Sequence, residues 1–549
     1  MSTRGNVTRT FNLADLFEIT ADAVPDRVAL VAGDRRLTYG ELNERATRFS
    51  GHLRSAGIRP GEHVAVLSWN RAEWLETMLG TLGARAVPIN VNYRYTSDEV
   101  VALLDDSDSV ALVVEADLLA ALGGAAHVTG SLQALRHVVV IDGDGPRRAD
   151  DSPTVVGYEE ALAGALPGAE PAARSSDDHY ILYTGGTTGS PKGVVWRAED
   201  IFFAALGGGN PGGDPISTPD ELAVHIVRDR RPWLVTSPMM HGNGQWNSLV
   251  PLLIGRGVVL WTGRRFDAVA VAELAERERA HLLVLVGDGM AIPFLDALAA
   301  RPTGELLPDL RAIGSGGAVL SPTAKARLAT LLPHVTVIDG FGASETGSNG
   351  RLVGAGDGGP PRFVMGPDTA VLDDDLRPAP VGAVGRLARR GHVPLGYWND
   401  PEKTAATFPT DAAGVRWAVP GDFARLEDDG TITLLGRGSA CINTGGEKVH
   451  PEEVAIAVKS HPDVADAVVV GAPDERFGQR VVAVVVPRDG SAPGVEDLRR
   501  HLRSSLAGYK LPRSVLSVDR LQYTAQGKPD LRWAADLAAT ALAPSEVGR

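Results

Sequence analysis

Four glycines, four Ser/Thr hydroxyls and one lysine fall within the eleven residues Tyr183 to Gly193, YTGGTTGSPKG, directly after the apolar pair Ile181-Leu182. Glycines let a backbone turn its N–H groups toward a phosphate, hydroxyls add donors, and lysine adds a mobile positive charge. Seven fixed positions at about 7% frequency each make a chance match on the order of one in 10⁸ per start site. A Walker loop requires Gly-Lys-Ser/Thr at the start of a helix, whereas Lys192 sits between Pro191 and Gly193. The segment therefore reads as a flap over phosphates rather than a cradle locked onto a helix N-terminus.

Four further clusters follow. In Gly340 to Gly347, GFGASETG, the glycine-flanked Glu345 could hold a magnesium ion that bridges phosphates, and Phe341 offers a flat face to a base. Asp422 after Gly421, with Arg437 beyond the Glu427 to Gly430 turn, supplies the carboxylate and guanidinium that commonly hold ribose hydroxyls. Thr444 to Pro451, TGGEKVHP, pairs Gly445 with Gly446 before Glu447, which permits close backbone approach to a ligand. Thr524 to Lys528, TAQGK, ends in a Gly-Lys. Taken singly, each is ordinary: a loop, a turn aspartate, a turn before a helix, a surface lysine.

The elements that must position these residues are legible in outline. Thr38 to Leu53 places Leu42, Ala46, Phe49 and Leu53 on one face and has Thr38 and Glu41 as a capping box, which predicts a helix. Strands are expected at His63 to Ser68, Ala86 to Val91, Val138 to Ile141, Leu234 to Ser237, Val258 to Trp261, Leu282 to Val286 and Val335 to Ile338, with a helix from Arg71. This alternation predicts an α/β fold, a large domain of layered, mostly parallel sheets with helices. Gly207 to Gly213 and Gly354 to Pro361 read as surface insertions, or as a lid on the substrate side. After Gly436 the β-rich runs Val464 to Gly471 and Val481 to Pro487, with helical Val495 to Leu506, predict a compact α+β domain of about 110 residues. The boundary falls between Arg437 and Gly438, giving domains 1–437 and 438–549.

Composition bounds the function. A chain of 549 residues is too long for one hydrophobic core. Apolar residues at 44% and charged ones at 22% are ordinary for a soluble globular protein. The net charge of −14 argues against a general nucleic-acid binder, though local lysines and N–H groups can still hold anions. Cys441 is the single cysteine, which excludes an intrachain disulfide and a cysteine-based zinc site and suits a reducing cytoplasm. MSTRGNVTRTFNLADLF has no uninterrupted apolar core and no run approaches about 18 apolar residues, so neither a signal peptide nor a membrane span is expected.

In their order and spacing, the flap near 185, the F-G-x-S-E at 341, Asp422, the G-R at 436 and the G-K at 527 resemble the adenylate-forming superfamily, over about Leu13 to Trp533. That superfamily includes acyl-CoA synthetases, luciferases and peptide-synthetase adenylation domains. The phrases VVWRAEDI, GRGSACINTGGEKVHPEEV and GKPDLRWA resemble its bacterial fatty-acid and steroid CoA-ligase branch. The resemblance implies a ligase using ATP, Mg²⁺ and CoA on a small carboxylic acid. Thr184, Gly185, Gly186, Thr187, Thr188, Gly189 and Lys192 would meet the ATP phosphates. Ser315, Gly316, Gly317 and Phe341 would flank adenine, Ser344 would bind the α-phosphate, Glu345 the metal, and Asp422 with Arg437 the ribose. Lys528 would reach from a mobile small domain to the carboxylate and α-phosphate. Ser439 would lie at the hinge, and Gly445, Gly446 and Glu447 would face the site for the CoA step.

His241 matches the mouth of the acyl pocket, and Met239, Met240, Asn243, Gln245 and Trp246 lie in the segment lining it in relatives. If Trp246 faces the pocket it fills volume that a steroid or long chain needs, and a compact, aromatic acid fits better; if it points into the core, that restriction disappears. Ser344 stands where Thr is usual and Phe341 where Tyr is common, keeping the hydroxyl and the stacking face. The leading function is an acid:CoA ligase. The alternatives are an adenylating enzyme of other outcome, loading a carrier protein or activating a non-acyl group such as nitrite in a ligase-like diazotase, and a silent nucleotide-binding protein. The retained Lys192, Glu345, Asp422, Arg437 and Lys528 argue against the last. No nucleic-acid or integral membrane association is expected, and a homodimer is left open.

Overall fold

The computed structural model describes residues 9–143, 154–165, 173–184, 191–301, 306–318, 320–352, 362–437, 441–444, 447–474, 478–488, 490–503, 505–524 and 528–542. The expected helix runs Tyr39–Ser55, with Thr38 as N-cap and a complete capping box to Glu41. Its apolar face, Leu42, Ala46, Phe49 and Leu53, is buried. The expected strands occur at His63–Leu67, Val87–Asn90, His137–Ile141, Trp233–Val235, Val258–Leu260, Leu282–Leu285 and Thr336–Ala343.

These strands build two main sheets. One is five-stranded and wholly parallel, from Val87–Asn90, His63–Leu67, Ser109–Glu115, His137–Ile141 and Thr154–Gly157. The other has thirteen strands and two textures. Val28–Ala32, Val258–Leu260, Trp233–Val235, Leu282–Leu285, Ala312–Ser315 and Thr336–Ala343 pair in parallel. Beyond Thr336–Ala343 every pairing is antiparallel, through Gly347–Leu352, Arg362–Met365, Thr431–Arg437, Asp422–Leu426, Val384–Arg389 and Thr369–Leu372. The sequence pattern does not separate this antiparallel half from the parallel one, because its strands are short and carry polar residues. A three-stranded antiparallel ribbon, His179–Thr184, Lys192–Arg197 and Gly396–Tyr397, joins the two main sheets.

The C-terminal part has its own sheet, a long hairpin of Val464–Asp474 and Gly478–Pro487 with Ile442–Thr444, Glu447–Val449 and Ser514–Ser517 beside it. Helices Pro451–Lys459 and Val495–Leu502 bury Val454, Val458, Leu498 and Leu502 on one face. Helix Leu531–Ala541 buries Ala534 and Ala538 on the other. Thr431–Arg437 closes the large sheet and Ile442–Thr444 opens the small one; residues 438–440 between them lie outside the described residues.

Gly207 to Gly213 opens with a packed 3₁₀ turn, Gly207–Gly209, and continues as an exposed surface loop over residues 211–213. All three of those glycines have positive φ, and a Cβ on Gly209 would lie 2.9 Å from Ile216 Cδ1. Glycine is required there twice over, for conformation and for space. Gly354 to Pro361 falls outside the described residues.

Two histidines, His137 buried and His52 half-buried, tie helix Tyr39–Ser55 to the parallel sheet. His52 and His137 face each other with Nε2 atoms 2.8 Å apart, so one ring must donate and the other accept. Burial lowers both, and the charges of His52 and Arg136 add to it for His137, which is held at about 4; Glu160 opposes the shift at His52. A histidine depressed in the folded state contributes stability that is full above its unfolded value and is lost as pH falls toward the folded value. For His137 that window runs from about 6.5 down to about 4, at about 1.4 kcal/mol per pH unit. His137→Gln is expected to flatten the fall of Tm across that window in calorimetry. A slope equal to wild type would show that this pair does not control acid stability.

Candidate active site

Parallel strands of one sheet all end at the same edge, and ligands of such sheets bind there. Here that edge collects Ser237, Ser315 and the continuation of Thr336–Ala343 into Ser344 and Glu345. The ribbon strand Lys192–Arg197, which leaves the flap, holds the last of these in place. Buried Trp196 donates its indole N–H to the Ser344 carbonyl at 3.0 Å. Tyr397, whose strand pairs with Val194 and Val195, donates its hydroxyl to Glu345 Oε1 at 2.8 Å. Lys192 pairs with Asp400, the cap of the next helix, at 3.2 Å. Thr184 and Lys192 are opposite one another at the mouth of the flap hairpin; Gly185, Gly186, Thr187, Thr188 and Gly189 lie outside the described residues.

Of the residues expected to flank adenine, Ser315 is buried and its hydroxyl accepts the N–H of Gly287 at 3.2 Å. Gly316 follows, its carbonyl accepting from Asn243 Nδ2 at 3.2 Å, and Gly317 is exposed at the edge of the site. Phe341 stands edge-on to Phe363, with ring centroids 4.9 Å apart. Asp422 and Arg437 are directly opposed on antiparallel strands. That register brings together two positions 15 apart in sequence, the arrangement a ribose would need.

The segment around His241 is locked from behind. Asn90 Nδ2 donates to the carbonyls of Met240 and Tyr183, at 2.7 and 2.8 Å, and Asn90 Oδ1 accepts the Tyr183 N–H at 2.8 Å. Asn70 clamps Ser237 and Met239 in the same way. A Cβ on Gly244 would lie 2.2 Å from the Pro238 carbonyl oxygen, so only glycine lets the helix Gly242–Leu253 start so close to its own lead-in. Of the residues expected to line the acyl pocket, Met239 and Gln245 are turned into the scaffold. Gln245 accepts from Tyr180 at 2.5 Å and donates to the Met239 carbonyl at 3.0 Å, which uses both ends of its amide. Met240 is buried as well, and Trp246 packs half-buried against the main core with its ring beside Gly242. Asn243 is held by Ser237, Gly316 and Asn247.

His241 itself has a buried Nε2 with no hydrogen-bond partner among the described residues. Burial is the main reason its pKa falls to about 4, and the positive charges of Lys528 and Arg94 push the same way. The imidazole is therefore neutral at physiological pH. The charge of Lys528, carried by the small domain, thus acts on a residue at the edge of the large one. The Lys528 carbonyl accepts the Thr524 N–H at 2.7 Å, closing the loop that presents it. Gly445, Gly446 and Ser439 lie outside the described residues, and Glu447 is placed by backbone pairing with Thr444.

Sequence reasoning missed three contributors. Asn70 and Asn90 carry no motif of their own; their signal is a polar residue just beyond or at the end of a buried parallel strand. Arg94 sits in the turn after Val87–Asn90, beside Tyr93, whose ring stacks on Trp69 with centroids 3.7 Å apart.

Glu345 offers a hard carboxylate oxygen beside the positions expected to meet phosphate, which fits Mg²⁺. Residues 17–398 match the AMP-binding enzyme family, and residues 453–528 match the AMP-binding enzyme C-terminal domain. The chain is 43% identical to a 3-oxocholest-4-en-26-oate–CoA ligase of Rhodococcus rhodochrous, with 97% of each chain covered. It is also 43% identical, over 96% of each chain, to a medium/long-chain-fatty-acid–CoA/3-oxocholest-4-en-26-oate–CoA ligase of Mycolicibacterium smegmatis. The fold is that of the anthranilate CoA ligase AuaEII crystallised with anthranoyl-AMP, at a TM-score of 0.81 and 23% identity over 98% of this chain and 99% of that one. The chain belongs to the AMP-binding, adenylate-forming enzyme family and is an AMP-forming acyl-CoA ligase that uses ATP, Mg²⁺ and CoA.

Proposed function

We propose that this ligase activates a lipophilic carboxylic acid, a steroid side-chain acid or a medium-to-long-chain fatty acid. The observation that carries the ligase chemistry is the placement of Lys528, on the C-terminal-domain loop closed by Tyr523 and Pro529, within electrostatic range of His241 at the edge of the parallel strands. The choice of acid rests on the two full-length relatives, both ligases of cholestenoate-type acids and one of fatty acids as well. A compact aromatic acid was the sequence expectation if Trp246 filled the pocket. With Trp246 packed against the core, that volume argument loses its force.

In the first half-reaction a carboxylate oxygen of the acid attacks the α-phosphorus of ATP. The bond from that phosphorus to the bridging oxygen breaks, and pyrophosphate leaves. No protein nucleophile is needed, so catalysis is positioning and charge stabilisation. Lys528 would neutralise the charge that builds between carboxylate and α-phosphate. Thr184, Thr187, Thr188 and Lys192, with the flap glycines, would hold the departing pyrophosphate. Phe341 and the Ser315 to Gly317 turn would seat adenine, Ser344 the α-phosphate, and Asp422 with Arg437 the ribose. Glu345 would hold Mg²⁺, whose charge offsets that of the triphosphate when bound. His241, neutral and without a hydrogen-bond partner among the described residues at Nε2, would close the acyl pocket above the reacting carboxylate.

In the second half-reaction the CoA sulfur attacks the adenylate carbonyl, AMP leaves, and the thiol proton goes to solvent or a phosphate oxygen. We place the hinge at Ser439, between domains 1–437 and 438–549. Rotation about it would withdraw Lys528 and bring Gly445, Gly446 and Glu447 to the site.

Three outcomes test this. Acid-dependent AMP release with CoA is expected to be fastest for cholestenoate-type and long-chain acids; a clear preference for benzoate-like acids would refute the assigned substrate class, and AMP release indifferent to CoA would refute CoA as acceptor. Lys528→Ala is expected to lower adenylate formation by at least about 10²-fold with ATP affinity nearly unchanged, and wild-type adenylation in that variant would refute its role. Because His241 is depressed to about 4, kcat/KM for the acid should show no inflection near pH 6.5 from this ring. An inflection there that disappears in His241→Asn would show that the imidazole titrates freely.

A further inference from the structure

The small domain meets the large one through a buried chain of charges that the chemistry above does not use. Lys459, at the end of helix Pro451–Lys459, places Nζ 2.8 Å from Asp466 Oδ1 within its own domain and 3.1 Å from Asp288 Oδ2 across the boundary. All three side chains are buried or nearly so, at 9%, 13% and 4% exposure. Burial alone would lower the Lys459 pKa, but the two carboxylates outweigh it and hold the ammonium charged.

Both ends of this chain lead to the active site. Asp466 also accepts a hydrogen bond from the Tyr523 hydroxyl. Tyr523 begins the loop that presents Lys528: it bridges Pro529 across the loop, and the next residue, Thr524, donates to the Lys528 carbonyl. On the large-domain side, Asp288 Oδ1 accepts the N–H of Ser321 at 2.8 Å. Gly287, one residue earlier, donates to Ser315 in the adenine turn. The helix capped by Ser321 carries Lys325, paired at 2.6 Å with buried Asp339 two residues before Phe341.

We propose that Lys459 and Asp288 are positioning residues for adenylate formation: their ion pair fixes the small domain, through Asp466 and Tyr523, so that Lys528 lies over the acid and α-phosphate. The proposal rests on the ligase reading and adds to it the contact that sets the pose of the first step. The pair is suited to release as well as to docking. When the domains part, Lys459 keeps Asp466, and Asp288 keeps the Ser321 N–H and gains water. Neither charge is left buried and alone, which is the situation that makes a broken ion pair costly.

The test separates the half-reactions. Asp288→Asn is the primary variant, because it removes only the cross-boundary charge, leaves Lys459 paired within its own domain, and keeps an oxygen for the Ser321 N–H. Acid-dependent exchange of pyrophosphate into ATP is expected to fall by roughly 10- to 100-fold, as for a reacting group displaced by about 1 Å, with KM for ATP little changed. Thioester formation from CoA and the presynthesised adenylate of the best acid should stay within about twofold of wild type. Lys459→Met should show the same split, and the double variant should be no slower than the worse single one, since both remove one contact. Equal loss in both half-reactions, or exchange at the wild-type rate in Asp288→Asn, would overturn the proposal while leaving the ligase reading intact. Absence of exchange in wild type with every acid would overturn both. Thermal unfolding of each variant accompanies the rates, and a folded Asp288→Asn with undiminished exchange decides against the proposal whatever Lys459→Met does.

Discussion

The site exists because one strand changes partners. Thr336–Ala343 pairs in parallel with Ala312–Ser315 over its first half and antiparallel with Gly347–Leu352 over its second. Its neighbours on the parallel side end at a common edge, where their carboxyl ends open a crevice. This strand continues past that edge, and an unpaired continuation would leave backbone N–H and C=O groups without partners. The antiparallel hairpin supplies them. Phe341, Ser344 and Glu345 are thereby carried out over the ends of the other strands, with Trp196 and Tyr397 bracing them from the flap ribbon.

That geometry explains why buried polar side chains concentrate here. The segment around His241 and the turn at Gly316 both follow strands of the thirteen-stranded sheet, while Asn70 and Asn90, which brace the first, come from the five-stranded one. Apolar packing alone is non-directional and favours closure. Directional hydrogen bonds from Asn70 and Asn90 fix the segment around His241 instead, and Asn243 spans from that segment to Gly316. Each amide is satisfied by protein atoms, so these segments are stiff while the crevice stays open to ligands. His241 is the exception, a buried nitrogen with no hydrogen-bond partner among the described residues, on which the charge of Lys528 acts.

Legibility in the sequence followed the range of the interactions. The capping box of Thr38, the helix it starts and the parallel strands are short-range patterns, and each occurs within a residue or two of its expected place, except that Thr336–Ala343 runs five residues past the expected Ile338. Glu345, Asp422 and Arg437 stand out in the sequence because glycines and charges cluster around them, and the strand register sets the last two opposite one another. What the sequence did not show depends on register and long-range contact. Gly207 to Gly209 looks like any glycine-rich loop until Ile216 packs against it. Gln245 looks like a pocket residue until Tyr180, 65 positions away, donates to it. Asp288 and Lys459 are 171 positions apart, each an unremarked charge in an amphipathic helix.

Adenylation and thioester formation place opposite demands on one site. The first needs a cation pressed onto a carboxylate and a phosphate in a space closed to water, which would otherwise hydrolyse the adenylate. The second needs that same face opened to a thiol on a long carrier. One rigid arrangement cannot meet both demands. The small domain has a core of its own: helices cover its sheet on both faces, so its packing does not depend on the large domain. In the proposed mechanism, what joins it to the large domain must hold Lys528 over the reacting groups and still be reversible on the timescale of turnover. Extensive apolar burial would serve the first requirement and defeat the second. An ion pair whose two members each keep a partner after separation satisfies both, and Asp288 with Lys459 has that arrangement.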